Sequence, residues 1–244
     1  MLNSLIAYIA ENGLRDSAYS LCCTINVIAA IPFCLWYGRK IKLKFYNSLI
    51  CFAYFYFLQG YVMSFVMWMN SGFQEWGDAN VAVAFVYLPL ISIIWAKLLK
   101  EPYEKISDFM AFPPMILYGI GRFGCVFYGC CYGYPFKYGM YNPIKDINLF
   151  PVQMLESLVA FSLVFLMLYL SKRRKYKPSG ELLPMLLMLY GIARFFIEFL
   201  HDNEKVLLGC SKLSFHALFM FAVGLTMLIF KKRRQDKATK VIDC

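Results

Sequence analysis

Long apolar runs recur along most of this chain and constrain its fold more than any other feature. Each run holds about 20 residues, the length of helix that crosses about 30 Å of hydrocarbon. Hydrophobic residues make up 60% of the chain and charged residues only 16%, which a soluble globule could not bury, and a disordered chain or a secreted disulfide miniprotein is excluded. The predicted spans are residues 17–37, 46–69, 79–99, 109–130, 152–170, 182–200 and 213–230.

The basic residues give these spans a direction across the membrane. Of the 25 Lys and Arg residues, 18 lie in the connections after the first, third and fifth runs and in the C-terminal segment. Because positive loops stay on the cytoplasmic side, we predict an all-α, polytopic membrane protein with seven transmembrane helices, an outer N-terminus and a cytoplasmic C-terminus. The net charge of +10 therefore indicates no nucleic-acid partner. One transmembrane domain over residues 1–244 is expected.

Ionisable side chains enter the predicted spans on one side only. Each costs at least about 2.5 kcal/mol on insertion scales, so each is expected to face the bundle interior with a partner. Arg194 and Glu198 are four residues apart and share a helical face with His201. The topology places Arg122 and Glu156 in the same outer half of the membrane. Together these residues predict a polar cavity that opens to the outer leaflet.

A phosphate is the ligand that two arginines in such a cavity would suit, because each guanidinium offers a planar fork of donors. A phospholipid head group is the phosphate most available there. The alternative is purely structural. In that interpretation Arg194 and Glu198 neutralise each other, and Arg122 binds carbonyl groups at a broken helix.

Glycines are dense between residues 119 and 133, which read GIGRFGCVFYGCCYG. The first six residues match GxGxxG, but they follow an apolar helix and no strand, so a dinucleotide site is rejected. Glycine at this density instead permits close helix approach or an unwound turn that lines a cavity.

Three of the nine cysteines lie in this stretch. An arginine on the same helix favours a reactive thiol, and the outer side favours disulfides, although packing is the simpler explanation for Cys125, Cys130 and Cys131. As a zinc site the group looks poor, because two ligands are adjacent and no histidine is near in sequence. We therefore expect neither a metal nor a cofactor.

At these residues the chain resembles the prolipoprotein diacylglyceryl transferase family. The family pattern GRxGNFxNxExxG is similar to GRFGCVFYGCCYG, HPxQLYE to FPVQMLES, and YGxxRFxxEFxR to YGIARFFIEFLHD. The three segments follow in the family's order over the C-terminal half. The matching residues are Gly121, Arg122, Gly124, Gly133, Pro151, Gln153, Glu156, Tyr190, Gly191, Arg194, Phe195, Glu198 and Phe199.

The chain departs from the family pattern at several functional positions. The family's asparagines fall on Cys125 and Tyr128, its glutamate on Cys130 and its later arginine on His201. The family's histidine in the third span is absent from VAVAFVYLPL. These differences predict a divergent, transferase-like member.

The resemblance implies an enzyme of the bacterial cytoplasmic membrane that binds an outer-leaflet anionic phospholipid such as phosphatidylglycerol. It would move a diacylglyceryl or related group to a thiol or other nucleophile of a secreted or membrane protein. Arg122 and Arg194 would hold the phosphate, Glu198 would orient Arg194, and His201 or the Cys130 thiolate would act as base or nucleophile. The expected substrate-binding residues are Gly121, Gly124, Cys125, Gln153, Glu156 and Tyr190.

Two other functions fit the same residues. One is a lipid-binding or lipid-translocating membrane protein without catalysis. The other is thiol-disulfide exchange through Cys130 and Cys131, although neighbouring cysteines form a strained ring.

Overall fold

A computed structural model of the chain describes residues 2–58, 61, 64–65, 68–69, 81–202, 207 and 209–242. Parts of the second and third predicted spans lie outside these residues. The described chain is mostly helical. Its helices are α1 (Leu2–Glu11), α2 (Arg15–Lys40), α3 (Phe45–Ala53), α4 (Val81–Leu98), α5 (Tyr103–Met110), α6 (Pro113–Tyr128), α7 (Val152–Arg173), α8 (Leu182–Glu198) and α9 (Lys212–Ile242), with a π-helical turn at Tyr54–Leu58 after α3.

Among the residues that the structure describes, four helical segments are long and apolar enough to cross a membrane. They are Arg15–Lys40, Tyr103–Tyr128, Val152–Arg173 and Lys212–Asp236, and Phe85–Leu98 is a shorter apolar helix. Large apolar side chains point outward from them, as Leu21, Phe165 and Phe219 do. Lipid can solvate such surfaces, whereas water cannot. The predicted class of helical membrane protein agrees with this structure.

A β-hairpin lies at one end of the bundle, beside the end of α6, the start of α7 and the end of α8. We call this end of the bundle the hairpin end. Strands β1 (Pro135–Asn142) and β2 (Ile147–Leu149) pair antiparallel. Asn142 closes the turn, because its Oδ1 accepts the backbone N–H groups of Ile144 and Lys145, each at 2.9 Å. The prediction of an all-α chain did not include this hairpin.

Glycines allow helices α8 and α9 to pack in direct backbone contact. A Cβ at Gly191 would lie 2.7 Å from the Phe221 nitrogen, and one at Gly224 would lie 2.5 Å from the Pro184 carbonyl oxygen. Any larger residue would push the two helices apart. This packing brings the C-terminal end of α8, with its ionisable residues, close to the start of α9.

At the opposite end, a buried aspartate caps α8. Asp108 is 2% exposed, and its carboxylate accepts the backbone N–H groups of Ser179 at 2.7 Å and Leu182 at 3.0 Å. These donors at the helix start have no partner within the helix, so an acceptor there is stabilising. Nearby, Glu181 pairs with Arg174 and Lys231. The basic segments after α7 and within α9 therefore lie at the end away from the hairpin.

Candidate active site

Glu156 lies between two arginines at the hairpin end. It is fully buried in the first turns of α7. Its Oε2 is 2.6 Å from Nε of Arg122 on α6, and its Oε1 pairs with Nη1 of Arg194 on α8. One carboxylate thus joins three helices. A buried carboxylate is costly unless it is paired, and here each of its oxygens faces an arginine.

Arg194 has a second carboxylate partner on its own helix. Its Nη2 is 2.8 Å from Oε2 of Glu198, one helical turn away. Ser211, just before α9, donates a hydrogen bond of 2.7 Å to the other oxygen of Glu198. The predicted pair of Arg194 and Glu198 is therefore present, and it continues to the start of α9.

His201 joins the same group of residues and is only 4% exposed. Its Nε2 is 3.2 Å from Nη1 of Arg194 and 3.3 Å from Oε1 of Glu156. Burial and the charge of Arg194 lower the pKa of His201 to about 4, so the ring is neutral at pH 7. A neutral ring whose Nε2 accepts the arginine proton carries its own proton on Nδ1.

The two arginines differ in their access to solvent. The side chain of Arg122 is 16% exposed, whereas that of Arg194 is 3% exposed. Arg122 also donates a hydrogen bond of 2.8 Å to the Tyr118 hydroxyl, and its guanidinium lies 4.7 Å from the centre of that ring. Arg122 is thus the outer arginine of the group, and Arg194 lies behind Glu156.

Gln153 connects this group to the cysteines. Its Nε2 donates a hydrogen bond of 2.5 Å to the backbone oxygen of Cys130. Within the described part of the chain, Oε1 of Gln153 and Nε of Arg194 are buried without a hydrogen-bond partner. Buried polar groups are normally satisfied, so these two atoms mark places where a ligand or water would gain hydrogen bonds.

The sulfur atoms of Cys125, Cys130 and Cys131 all lie within 4.8 Å of one another. Gly129 makes this possible, because its left-handed backbone (φ +93°) ends α6 and turns the chain back. The Cys125 carbonyl then accepts the N–H groups of Gly129 at 3.0 Å and Cys130 at 3.2 Å.

Three further predicted site residues lie beside the ion pairs and not among them. A Cβ on Gly124 would lie 3.0 Å from Tyr19, and one on Gly121 would lie 3.7 Å from Asn26, so both glycines face α2. Tyr190 is buried, with its ring 5.7 Å from that of Tyr118. These residues shape the walls around the charged groups.

Sequence reasoning missed Tyr118 and Ser211 as partners of the charged residues. Tyr118 stands one helical turn before Arg122, and that spacing was the available signal. Ser211 is 13 residues from Glu198 and lies on another element. No helical or strand spacing connects the two, so the sequence held no signal for this contact.

Comparison with known proteins agrees with this arrangement. The family model named prolipoprotein diacylglyceryl transferase matches residues 17–230. The chain belongs to the prolipoprotein diacylglyceryl transferase family. Members of this family are membrane transferases, so the resemblance and the enzyme class predicted from the sequence are confirmed.

Curated relatives in the prolipoprotein diacylglyceryl transferase family carry the name phosphatidylglycerol–prolipoprotein diacylglyceryl transferase. The protein of Clostridium tetani is 29% identical over 177 residues, which cover 69% of this chain and 68% of the relative. The protein of Dehalococcoides mccartyi strain 195 is 24% identical over 243 residues, which cover 91% and 92%. The likeness thus extends over nearly the whole chain.

Proposed function

We propose that this chain transfers a diacylglyceryl or related group from phosphatidylglycerol to a thiol or other nucleophile of a prolipoprotein. The names of its relatives supply these substrate classes. The observation that carries the proposal is the chain of ion pairs from Arg122 through Glu156 to Arg194, with Arg122 as the partly exposed member. Such a site can receive an anionic head group at one face while its inner residues stay dry.

Arg122 is the proposed phosphate ligand. The two arginines and two glutamates form a group without formal net charge, since His201 is neutral at pH 7. A phosphate therefore gains little from long-range attraction and must replace part of the contact between Arg122 and Glu156. A guanidinium can do this, because its fork binds two oxygens while further N–H groups keep other partners. Its charge would also stabilise the phosphoglycerol that leaves.

Arg194, Glu198 and His201 act in this proposal as positioning residues. Arg194 is too deeply buried to meet a lipid first, and it fixes the Glu156 carboxylate from behind. Glu198 and His201 hold Arg194 from two further sides. The sequence suggested His201 as a base. The positioning role is proposed in its place because Nε2 faces Arg194. Cys130, the other sequence candidate, remains a proposed base or nucleophile. Its sulfur lies beside those of Cys125 and Cys131.

The membrane arrangement proposed with this function has seven crossings, with the hairpin end outside. Four crossings are supported by the segments Arg15–Lys40, Tyr103–Tyr128, Val152–Arg173 and Lys212–Asp236. Helix α8, with 17 residues, is at the lower limit of about 17 residues for a span. The basic segments after α7 and in α9 lie at the far end, which supports a cytoplasmic position for that end. The proposed location is the bacterial cytoplasmic membrane.

Lipid binding without transfer is the competing function. It is favoured by the cysteines at positions 125 and 130, where the family pattern has asparagine and glutamate. Head-group release separates the two functions. Purified protein in vesicles of radiolabelled phosphatidylglycerol, supplied with a prolipoprotein that offers a cysteine thiol, should release glycerol phosphate and label the acceptor. Lipid binding with neither product would establish the competing function.

A further inference from the structure

Cys125 and Cys130 stand where the family pattern has asparagine and glutamate, and their sulfurs form a compact group with that of Cys131. We propose that Cys125, Cys130 and Cys131 bind one divalent zinc-class ion through three sulfurs. This inference rests on the proposed function only for the use of the ion, and the binding itself can be measured without any transfer.

The geometry of the sulfurs supports a single ion. Zn–S bonds of about 2.3 Å in a tetrahedral site place sulfurs about 3.8 Å apart, and these three lie within 4.8 Å of one another. Small rotations of the cysteine side chains close the remaining difference. Thiolates are the ligands that zinc and other soft or borderline ions select over carboxylates.

The backbone overcomes the objection that two adjacent cysteines cannot serve one ion. Cys131 has a left-handed backbone (φ 61°), which is uncommon for a residue with a side chain. It follows the left-handed turn at Gly129, so two left-handed positions, separated by Cys130, redirect the chain around the sulfurs. Non-glycine residues in this conformation persist where surrounding contacts hold them, and they are concentrated at functional sites.

Several hydrogen bonds hold this turn in place. Asn142 of the hairpin donates to the Gly129 carbonyl at 2.8 Å, and Gln153 donates to the Cys130 carbonyl at 2.5 Å. The Tyr132 hydroxyl donates to the Val126 carbonyl at 3.2 Å. The sulfurs are therefore presented by a braced backbone, which lowers the entropy lost when an ion binds.

The charges around the sulfurs suit a metal thiolate. Three thiolates and one divalent ion carry a net charge of about −1, and Arg122 lies one helical turn before Cys125 on α6. Cys131 is also exposed, which gives an ion a route from solvent.

Three protein ligands leave a tetrahedral ion one position for an outside ligand, as in catalytic zinc sites. On the proposed function that ligand is the acceptor thiol. Its sulfur would displace a bound water, its proton would pass to solvent, and no atom would change oxidation state. Coordination deprotonates a thiol, so the ion would supply the thiolate that His201 is not placed to generate.

Metal titration of the reduced, metal-free protein in detergent tests the site. We expect about one Zn²⁺ per chain, measured against a chromophoric chelator, and a thiolate-to-metal charge-transfer band with Co²⁺. Each of the variants Cys125→Ser, Cys130→Ser and Cys131→Ser should weaken Zn²⁺ binding by at least about tenfold. The matched controls are Cys34→Ser and Cys210→Ser, which should bind Zn²⁺ like the unmodified chain.

Alkylation mapped by mass spectrometry gives a second measurement that does not depend on any variant folding. Zn²⁺ should protect the three cysteines and leave Cys22 unprotected. A small thiol added to the Co²⁺ form should shift its absorption bands if the fourth position is open. Absence of metal binding by the fully reduced protein, or protection by disulfide bonds alone, would overturn the metal site. Either result would leave the transferase proposal standing.

Discussion

Nε of Arg122 lies 2.6 Å from Oε2 of Glu156, and this contact joins helices α6 and α7 at the hairpin end. The same carboxylate pairs with Arg194 through its other oxygen. Glu156 therefore separates a partly exposed outer arginine from a deeply buried inner one.

Arg122→Lys should weaken phosphatidylglycerol binding and turnover in a protein that still folds. Lysine keeps the positive charge beside Glu156 but loses the planar fork that binds two phosphate oxygens. We expect a loss of at least about tenfold, or about 1.4 kcal/mol. Isothermal titration with short-chain phosphatidylglycerol measures it. The control is Arg39→Lys, at the other end of the bundle. Equal affinity in the Arg122 variant and the control would remove Arg122 from the lipid site.

Arg194 and Glu198 should act as one unit. Arg194→Ala leaves two buried carboxylates short of a partner, at an expected cost of about 3–5 kcal/mol in the free energy of unfolding. Glu198→Gln should cost less, because its amide oxygen still accepts a hydrogen bond. A double-mutant cycle in detergent measures the coupling. The two losses should be strongly non-additive, and simple addition of the losses would show that the residues act independently.

His201→Gln should separate a positioning role from a catalytic one. The glutamine Oε1 can replace Nε2 as the acceptor for Arg194, so we expect transfer activity within about tenfold of the unmodified enzyme. A loss of transfer activity well above tenfold in His201→Gln would instead indicate that the imidazole transfers a proton.

The stability of the same variant should respond less to acid. The pKa of His201 lies below its ordinary value of 6.5, at about 4, so the unfolded chain binds the proton more tightly. The unmodified protein should therefore lose stability as pH falls from about 6.5 towards 4, and it should regain it above that range. In His201→Gln this part of the pH dependence should disappear. Thermal unfolding across these pH values measures the difference.

Gly133→Ala should disturb the backbone contact between Gly133, which follows the three cysteines, and His201. These residues form a backbone bridge, and a Cβ on Gly133 would lie 2.3 Å from the Leu200 carbonyl oxygen. Since that atom is backbone and cannot rotate away, we expect a loss of about 1–3 kcal/mol in unfolding free energy. The stability control is Gly121→Ala, whose nearest neighbour is an ordinary 3.7 Å away. Equal stability of the two variants would contradict this explanation.

Asp108→Ala should destabilise the fold without altering the chemistry at the hairpin end. It removes the acceptor for the N–H groups of Ser179 and Leu182, which costs about 1–3 kcal/mol. Asp108→Asn should cost less, because one oxygen remains. Turnover per folded molecule at low temperature should match the unmodified enzyme. A changed turnover would mean that the cap of α8 influences the active site.

The sequence predicted the charged residues of the site better than their arrangement. The spacing of Arg194 and Glu198 within one helix was sufficient, because helical geometry sets which residues meet. The central place of Glu156 was not predictable, since it depends on how three helices pack. The position of His201 could not be predicted in full for a similar reason, because its backbone forms a bridge to Gly133 in a turn far away in sequence.

The β-hairpin escaped prediction because its strands are short and mixed in character. Strand β1 reads PFKYGMYN and β2 only INL, which gives too few residues for a reliable alternation. Its closure depends on the Asn142 side chain. The convergence of three sulfurs likewise depends on two left-handed backbone positions, Gly129 and Cys131, which spacing along the sequence does not reveal.

Transfer of label from phosphatidylglycerol to a prolipoprotein thiol is the most direct test of the account. The protein is reconstituted in vesicles whose phosphatidylglycerol carries labelled acyl chains, and the acceptor is analysed by mass spectrometry. The account predicts a diacylglyceryl adduct and released glycerol phosphate with the unmodified chain, and a loss of both with Arg122→Lys. Folded protein that binds the lipid and yields no adduct, or an Arg122→Lys variant that yields as much as the unmodified chain, would contradict it.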